Sequence, residues 1–268
     1  MANGQKVSRY RRLGEGSSLV LNLITIAAIF ALWWVATHYN WIKPLFLPKP
    51  ETVLNAFKQA WAGDLDNNTL VGHFAWSMMR VFGAFALAIV IGIPVGIAMG
   101  VSRLARGVFD APIEFYRPLP PLAYLPLMII WFGIGELSKV LLIFLACFAP
   151  VALAARAGVR SASQEQIQAA LSMGATRGQV VRHVVLPAAL PDILVGLRIG
   201  MGVGWTTLVA AEMVAASSGL GQMVLNASNF LRTDVVILGI IIIGLVAYAF
   251  EMLMRALENW LVPWRGRI

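Results

Sequence analysis

The chain has 268 residues, of which 59% are hydrophobic and 13% are charged. Soluble domains carry about 25% charged residues, so this composition excludes a soluble enzyme and a disordered chain. The single cysteine, Cys147, excludes an intrachain disulfide, and no Cys/His spacing in the sequence fits a metal site. The net charge of +8 therefore has to be interpreted for an integral membrane protein.

The first element is a basic segment followed by a long apolar run. The apolar run starts near residue 19 and continues to Thr37. A signal peptide would have a shorter apolar core and a cleavage site with small residues. We therefore predict that this run is a retained first membrane span and that residues 1–18 form a basic cytoplasmic tail.

Further apolar runs are long enough to cross a bilayer, which takes about 20 residues. They predict an all-α integral membrane protein with six transmembrane helices in one domain, residues 19–254, and a cytoplasmic tail at 255–268. The predicted spans are 19–37, 78–100, 119–135, 139–158, 195–216 and 235–254. The third span is short and rich in proline, which removes backbone donors, so we expect it to pack inside the protein, away from lipid.

Basic residues indicate how the spans are oriented, because cytoplasmic loops carry an excess of Lys and Arg. With a cytoplasmic N-terminus, six of the 21 basic residues fall in outer segments and the others fall in inner segments. Those six are Lys43, Lys49, Lys58, Arg80, Lys139 and Arg232. This distribution predicts that both termini are cytoplasmic and that the net charge is mainly a topology signal.

The cytoplasmic loop at 160–193 has signals for two short helices, each starting with a capping box. The boxes are Ser163 with Gln166 and Thr176 with Gln179. Gly174 fits a sharp turn at a helix end, and Leu186-Pro187 is expected to stop the second helix. The predicted helix–glycine–helix hairpin leaves apolar and basic side chains exposed, which is typical of a docking surface for another protein.

This hairpin resembles the EAA loop of the membrane subunits of bacterial ABC importers. That loop has the pattern Glu-Ala-Ala, three residues, Gly, nine residues, Ile, one residue and Leu-Pro. The matching residues are Gln168, Ala169, Ala170, Gly174, Val184, Leu186 and Pro187. The spacing agrees throughout, although Gln168 lacks the charge of the family Glu. The resemblance implies that these residues, with Ala175, couple the chain to an ATPase.

Segments 116–127, 131–136 and 186–191 resemble the branch of this family that imports sulfonates, nitrate and related small anions. Segment 198–212 is similar to the taurine permease branch. The resemblance implies the type I ABC importer permease fold and an inner-membrane permease subunit for taurine or a related small organosulfonate. Nitrate, bicarbonate or a pyrimidine-like nutrient remain alternative substrates for the same machine.

The sequence has no G-x-x-x-x-G-K-[ST] motif, so the chain cannot form the phosphate cradle of a P-loop ATPase. The resemblance implies two ATP-binding subunits that hold ATP and Mg, a periplasmic substrate-binding protein, a second copy of this chain and contact with membrane lipid. We expect no cofactor, no metal, no catalytic residue and no nucleic-acid partner for this chain.

The fifth span contains candidates for a transport pathway or a dimer seam. They are Trp205, Thr206, Thr207 and Glu212. Nearby glycines at 200, 202 and 204 permit close approach of helices. An ionised carboxylate within a span costs about 3 kcal/mol or more, so Glu212 needs a partner or a cavity. Because it would repel an anionic substrate, we favour a structural carboxyl bonded to a neighbour over a substrate contact.

Two other classes of protein compete with this interpretation. A stand-alone secondary transporter usually carries broken-helix ion sites in paired halves, and a docking hairpin would be unexplained in it. A membrane enzyme would need a cluster of reactive groups, whereas His38, His73 and His183 are scattered over loops on both faces without a carboxylate pair.

Overall fold

The computed structural model describes residues 19–63 and 68–263, so the predicted tail at 1–18 and the last residues of the predicted C-terminal tail lie outside it. All regular structure in the described part of the chain is helical, as predicted. The helices are α1 Leu19–His38, α2 Pro50–Ala62, α3 Leu70–Val101, α4 Arg103–Tyr116, α5 Leu125–Phe132, α6 Glu136–Gly158, α7 Gln164–Ser172, α8 Arg177–Val180, α9 Leu186–Ala215, α10 Leu220–Asn229 and α11 Thr233–Leu261. Short 3₁₀ turns lie at Pro121–Tyr124 and Val159–Ser161.

Five of the described helices are long and apolar enough to cross a membrane. They are α1, α3, α6, α9 and α11, which correspond to the first, second, fourth, fifth and sixth predicted spans. Helix α11 runs past the predicted end at residue 254, and α9 begins inside the predicted loop 160–193. The all-α membrane architecture is therefore confirmed, with longer helices than the apolar runs alone indicate.

The third predicted span is a 3₁₀ turn of 4 residues followed by α5 with 8 residues. At about 2.0 and 1.5 Å per residue this segment is about 20 Å long, shorter than the hydrocarbon core of about 30 Å. Leu125 and Met128 are buried, whereas Ile130 and Trp131 are 77% and 62% exposed. Within one copy of the chain, α6 and α9 cover only one face of α5, so packing of the whole segment inside the protein stays a prediction.

The centre of the fold is a three-helix core of α3, α6 and α9, held together by close glycine contacts. Gly96 of α3 lies against the backbone of Ala152 on α6, so that a Cβ there would clash with the carbonyl oxygen. Gly204 of α9 lies against the side-chain sulfur of Cys147 on α6, and Cys147 is buried as a small apolar residue. Gly202 has open space beside it, so it makes no close helix contact within one copy of the chain.

We expect Gly96→Ala to destabilise the chain by about 1–3 kcal/mol, because the added methyl must push α3 and α6 apart. Gly83→Ala is the matched control on α3, since Gly83 is exposed with nothing within 4 Å of an added Cβ. It should be neutral or stabilise by up to about 1 kcal/mol through helix propensity. Melting temperatures of the purified variants in detergent would measure both. Equal melting temperatures would contradict the close-packing argument.

The second hairpin helix was predicted to stop at Leu186-Pro187, but it does not. A π turn at Val181–Val185 connects α8 directly to α9. Pro187 lacks an N–H, and its ring would crowd the carbonyl four residues back in a regular α-helix. The wider π turn relieves this crowding: the Leu186 N–H donates to the carbonyl of Val181, five residues back. The segment from Arg177 to Ala215 is consequently one continuous helical rod of 39 residues.

The bundle has two distinct ends. The hairpin end carries α7, α8 and the π turn, and the far end carries the start of α3, the start of α6 and the loop 216–219 between α9 and α10. Helix α4 is fixed near the hairpin end by an ion pair between Asp110 and Arg156 of α6. Ser161 joins the start of the hairpin to α9 through a 2.6 Å hydrogen bond to Asp192.

Candidate functional site

Both predicted capping boxes are present in the hairpin, and each fixes the start of a helix. The Ser163 hydroxyl accepts from the N–H of Gln166 at 3.2 Å, and the Gln166 side chain accepts from the Ser163 N–H at 3.1 Å. Thr176 and Gln179 form the same reciprocal pair at 3.4 and 2.8 Å. A hydrogen bond from Ser163 also holds the pKa of exposed Glu165 below its ordinary value. The two helices therefore start where the sequence predicts.

The turn between the helices explains the spacing of Ala170 and Gly174. The Gly174 N–H donates to Leu171 O at 2.9 Å, and the Ala175 N–H donates to Ala170 O at 3.1 Å. This pair of bonds is the Schellman motif, which requires the residue after the C-cap, here Gly174, to adopt a left-handed conformation. Gly174 does so at φ +88°. The pattern Ala, three residues, Gly is thus the backbone geometry of one helix end.

The hairpin has a small apolar core of its own. Ala162, Ala170, Val180 and Val185 are buried in it, with Ile167, Ala175 and Val184 packed against them. Three of the predicted coupling residues, Ala170, Ala175 and Val184, therefore hold the hairpin together from inside. Their size suits this role, since a larger side chain would separate the two helices.

The other coupling residues lie on the surface. Gln168, Ala169, Gly174 and Pro187 are exposed, and Leu186 is 37% exposed. Beside them, Leu171 and Met173 expose 45% and 83% of their surface. We call Gln168, Ala169, Leu171, Met173 and Gly174 the hairpin tip. Apolar side chains displayed on a folded turn outside the bundle indicate a protein contact.

A second candidate site is a cluster of charged side chains buried at the far end. Arg80 and Glu212 have no exposed surface, Lys139 is 3% exposed, and Glu136 keeps 38% of its side chain exposed. Arg80 donates to Glu212 at 2.7 Å and to Glu136 at 2.5 and 2.9 Å, and Lys139 donates to Glu136 at 2.8 Å. The four charges sum to zero, which is what allows them to be buried together. We call these residues, with Ser77 and His73, the far-end cluster.

The far-end cluster also binds the backbone where α9 turns into α10. Arg80 Nη1 donates to the carbonyl of Ser218 at 2.6 Å. Three backbone N–H groups donate to side chains of the cluster: Gly219 to His73 Nδ1 at 3.0 Å, Leu220 to Ser77 Oγ at 2.9 Å, and Gly221 to Glu212 Oε2 at 3.0 Å. Gly219 lies at φ +132°, and a Cβ there would clash with the Glu212 carboxylate. The first N–H groups of α10, which lack helical partners, are thus bound by side chains.

The predicted pathway residues do not form one surface in the chain. Trp205 and Thr207 are buried, Thr206 is exposed, and the hydroxyls of both threonines donate to Val203 O. Trp205 packs on Phe250 of α11 with ring centroids 5.6 Å apart. Glu212 lies in the far-end cluster and is bonded to neighbours of its own chain. A pathway or dimer-seam role for these four residues stays a prediction.

Two cavities lie beside these helices. One of about 180 Å³ is lined by Trp205, Thr206, Arg198 and Glu251 between α9 and α11. A larger cavity of about 480 Å³ lies between the end of α4, α6 and α9, and Tyr116, Arg117 and Tyr124 contribute to its lining. Of the four pathway candidates, Trp205 and Thr206 line the smaller cavity, and none lines the larger one.

Of the far-end cluster, only Glu212 was predicted from the sequence as a candidate site residue. Arg80 was interpreted as an outer topology marker, although it is completely buried. One signal was available: Arg80 lies within an apolar run, where an ionised side chain requires a partner. The identity of that partner could not be derived, because Glu136 and Glu212 are 56 and 132 positions away.

A family model described as the inner membrane component of binding-protein-dependent transport systems matches residues 88–264, which include the hairpin and α9. The chain belongs to this family. The taurine transport system permease protein TauC of Escherichia coli is 53% identical over 251 residues, covering 93% of this chain and 91% of TauC.

The chain is also similar to a more distant permease and to a solved transporter structure. The nitrate import permease protein NrtB of Synechocystis is 30% identical and covers 90% of this chain and 88% of NrtB. A chain of the MetNI methionine ABC transporter, solved in inward-facing conformations, is 25% identical with a TM-score of 0.57, covering 70% of this chain and 94% of that one. The chain is an integral membrane permease of a bacterial ABC importer, with the type I permease fold, and its relatives are transport proteins and not catalytic enzymes.

Proposed function

We propose that this chain is the permease subunit through which an ATP-driven importer moves taurine or a related small organosulfonate across the inner membrane. The identity of 53% to TauC over most of both chains supports this substrate. Nitrate is the second candidate, and the lower identity of 30% to NrtB favours it less. In this proposal the importer also contains two ATP-binding subunits, a second copy of this chain and a periplasmic substrate-binding protein.

The hairpin tip is the docking site for the ATPase in this proposal. The observation that carries it is a turn fixed by its own backbone bonds, with Met173 83% exposed beside Gly174. A surface of this kind can enter a groove of a partner and transmit its motion as a rigid body. The hairpin end is then cytoplasmic, as are both termini, and the far end faces the periplasm.

The experiment is purification of the tagged chain from its native membrane, followed by a test for a bound ATPase. ATP hydrolysis of the same complex is then measured with the taurine-loaded binding protein. Co-purification with stimulation by taurine supports the whole proposal. Co-purification with stimulation by nitrate instead moves the substrate to the second candidate. A folded chain that never carries an ATPase contradicts the coupling role of the hairpin.

We expect Gly174→Asp to lower the amount of co-purified ATPase by about tenfold or more, because a side chain at φ +88° strains the turn at the centre of the docking surface. Gly133→Asp is the matched control. Gly133 also has a positive φ, +78°, and open space beside it, but it lies between α5 and α6 at the far end. It should retain the ATPase. Equal losses in both variants would mean that backbone strain alone, and not docking, explains the effect.

A further inference from the structure

The rod from Arg177 to Ala215 joins the two candidate sites mechanically. At a rise of about 1.5 Å per residue, its 39 residues extend roughly 58 Å. The hairpin lies at one end of this rod, and Glu212 lies in its last turn at the other end. Between the two sites, α9 packs against α6 through Gly196, Gly200 and Gly204.

At its far end the rod holds the start of α10 through Glu212. One carboxylate oxygen accepts from the Gly221 N–H at 3.0 Å, and Ser77 donates to both oxygens at 2.8 and 3.0 Å. Ser77 in turn accepts from the Leu220 N–H. A carboxylate is the favoured group at a helix N-terminus, where backbone N–H groups lack partners and the helix dipole is positive. Glu212 therefore binds α10 from the neighbouring helix.

The charge of Glu212 makes this connection hard to break. If α9 moved without α10, the Glu212 carboxylate would lose the Gly221 N–H and its link through Ser77 to the Leu220 N–H. A buried charge that loses its partners is strongly unfavourable, more so than the loss of apolar contact of the same size. Displacement of the rod therefore carries the loop 216–219 and α10 with it.

We propose that Glu212 is a positioning residue for transport: it latches α10 to the α9 rod, so that a movement imposed at the hairpin also moves the far-end loop 216–219. This inference rests on the proposed function, since it needs an ATPase at the hairpin. It assigns the buried carboxylate a role in coupling, without contact to the substrate. Arg80 and Ser77 complete the latch from α3.

The test uses the assembled complex with its ATPase, reconstituted into vesicles with taurine-loaded binding protein. Glu212→Gln keeps the shape of the side chain and removes its charge, while Arg80 keeps Glu136 as a partner. We expect the variant to assemble with the ATPase and to hydrolyse ATP at the basal rate. Taurine imported per ATP hydrolysed should fall by about tenfold. A purely structural carboxyl would change the yield of complex but not this ratio.

Glu114→Gln is the matched control, because Glu114 is an α4 carboxylate near the hairpin end that is 63% exposed and lies 3.9 Å from Arg156. It should leave import per ATP within about twofold. Ser77→Ala is the second variant: it removes the bonds to Glu212 and Leu220 without changing any charge, and should lower the ratio even if Glu212→Gln fails to fold. An unchanged ratio in the folded latch variants overturns the latch. Absence of an ATPase from the unmodified complex contradicts the proposed function instead.

Discussion

Arg80→Ala should nearly abolish the yield of folded chain. The substitution removes the cation that lies 2.7 Å from Glu212, a carboxylate with no exposed surface. Breaking a buried ion pair by deleting one partner costs about 3–5 kcal/mol. This is a large fraction of a typical free energy of unfolding, which is about 5–15 kcal/mol. The measurement is the amount of monodisperse protein after size-exclusion chromatography in detergent, together with its melting temperature.

The arrangement of the four charges provides an internal check on this result. Removing Arg80 and Glu212 together leaves Glu136 paired with Lys139 at 2.8 Å, so the remaining charges still cancel. The double variant Arg80→Met/Glu212→Gln should therefore recover part of the lost yield. Arg255→Ala, which breaks an exposed pair with Glu251, should cost less than about 1 kcal/mol. A double variant no better than Arg80→Ala would contradict the charge-balance argument.

The second large effect is expected at the hairpin tip. Met173→Asp places a charge on a side chain that is 83% exposed in the single chain, so the chain itself should fold normally. If Met173 is desolvated against the ATPase, the buried charge should weaken association by about 2 kcal/mol or more, as at interface hot spots. Co-purified ATPase and taurine uptake should both fall by more than about tenfold.

Met173→Leu is the control for this substitution. It replaces an unbranched apolar side chain with a branched one of similar volume, a change that is usually tolerated. It should retain ATPase association. Leu171→Asp, at 45% exposure on the same tip, should reproduce the loss. Normal association of both aspartate variants with the ATPase would show that the hairpin tip is not part of the docking surface.

The hairpin was predictable because its signals are local. A capping box spans four residues, and the turn at Gly174 depends on bonds to Leu171 and Ala170, so neighbouring positions contain all the information. The same local reasoning failed at Pro187. A proline is expected to end a helix, but a π turn can accommodate it within a continuous helix. Packing of α9 on α6 stabilises that continuous helix.

The far-end cluster was not predictable for the opposite reason. Arg80, Glu136 and Glu212 lie on three helices, and their pairing depends on how these helices pack. Span prediction averages composition along the chain and treats Arg80 as a charge near a span end. The glycine contacts that set the helix packing were partly visible: Gly200 and Gly204 face α6 as expected, whereas Gly202 does not.

The Schellman turn of the hairpin has a consequence for the kinetics of assembly. Its capping boxes and its turn bonds are all internal to the chain, so the docking surface exists before any partner arrives. A preorganised surface spends little binding energy on ordering its own side chains and backbone. Association should then proceed as a simple bimolecular encounter, with an observed rate that rises in proportion to ATPase concentration and shows no plateau from a slow folding step.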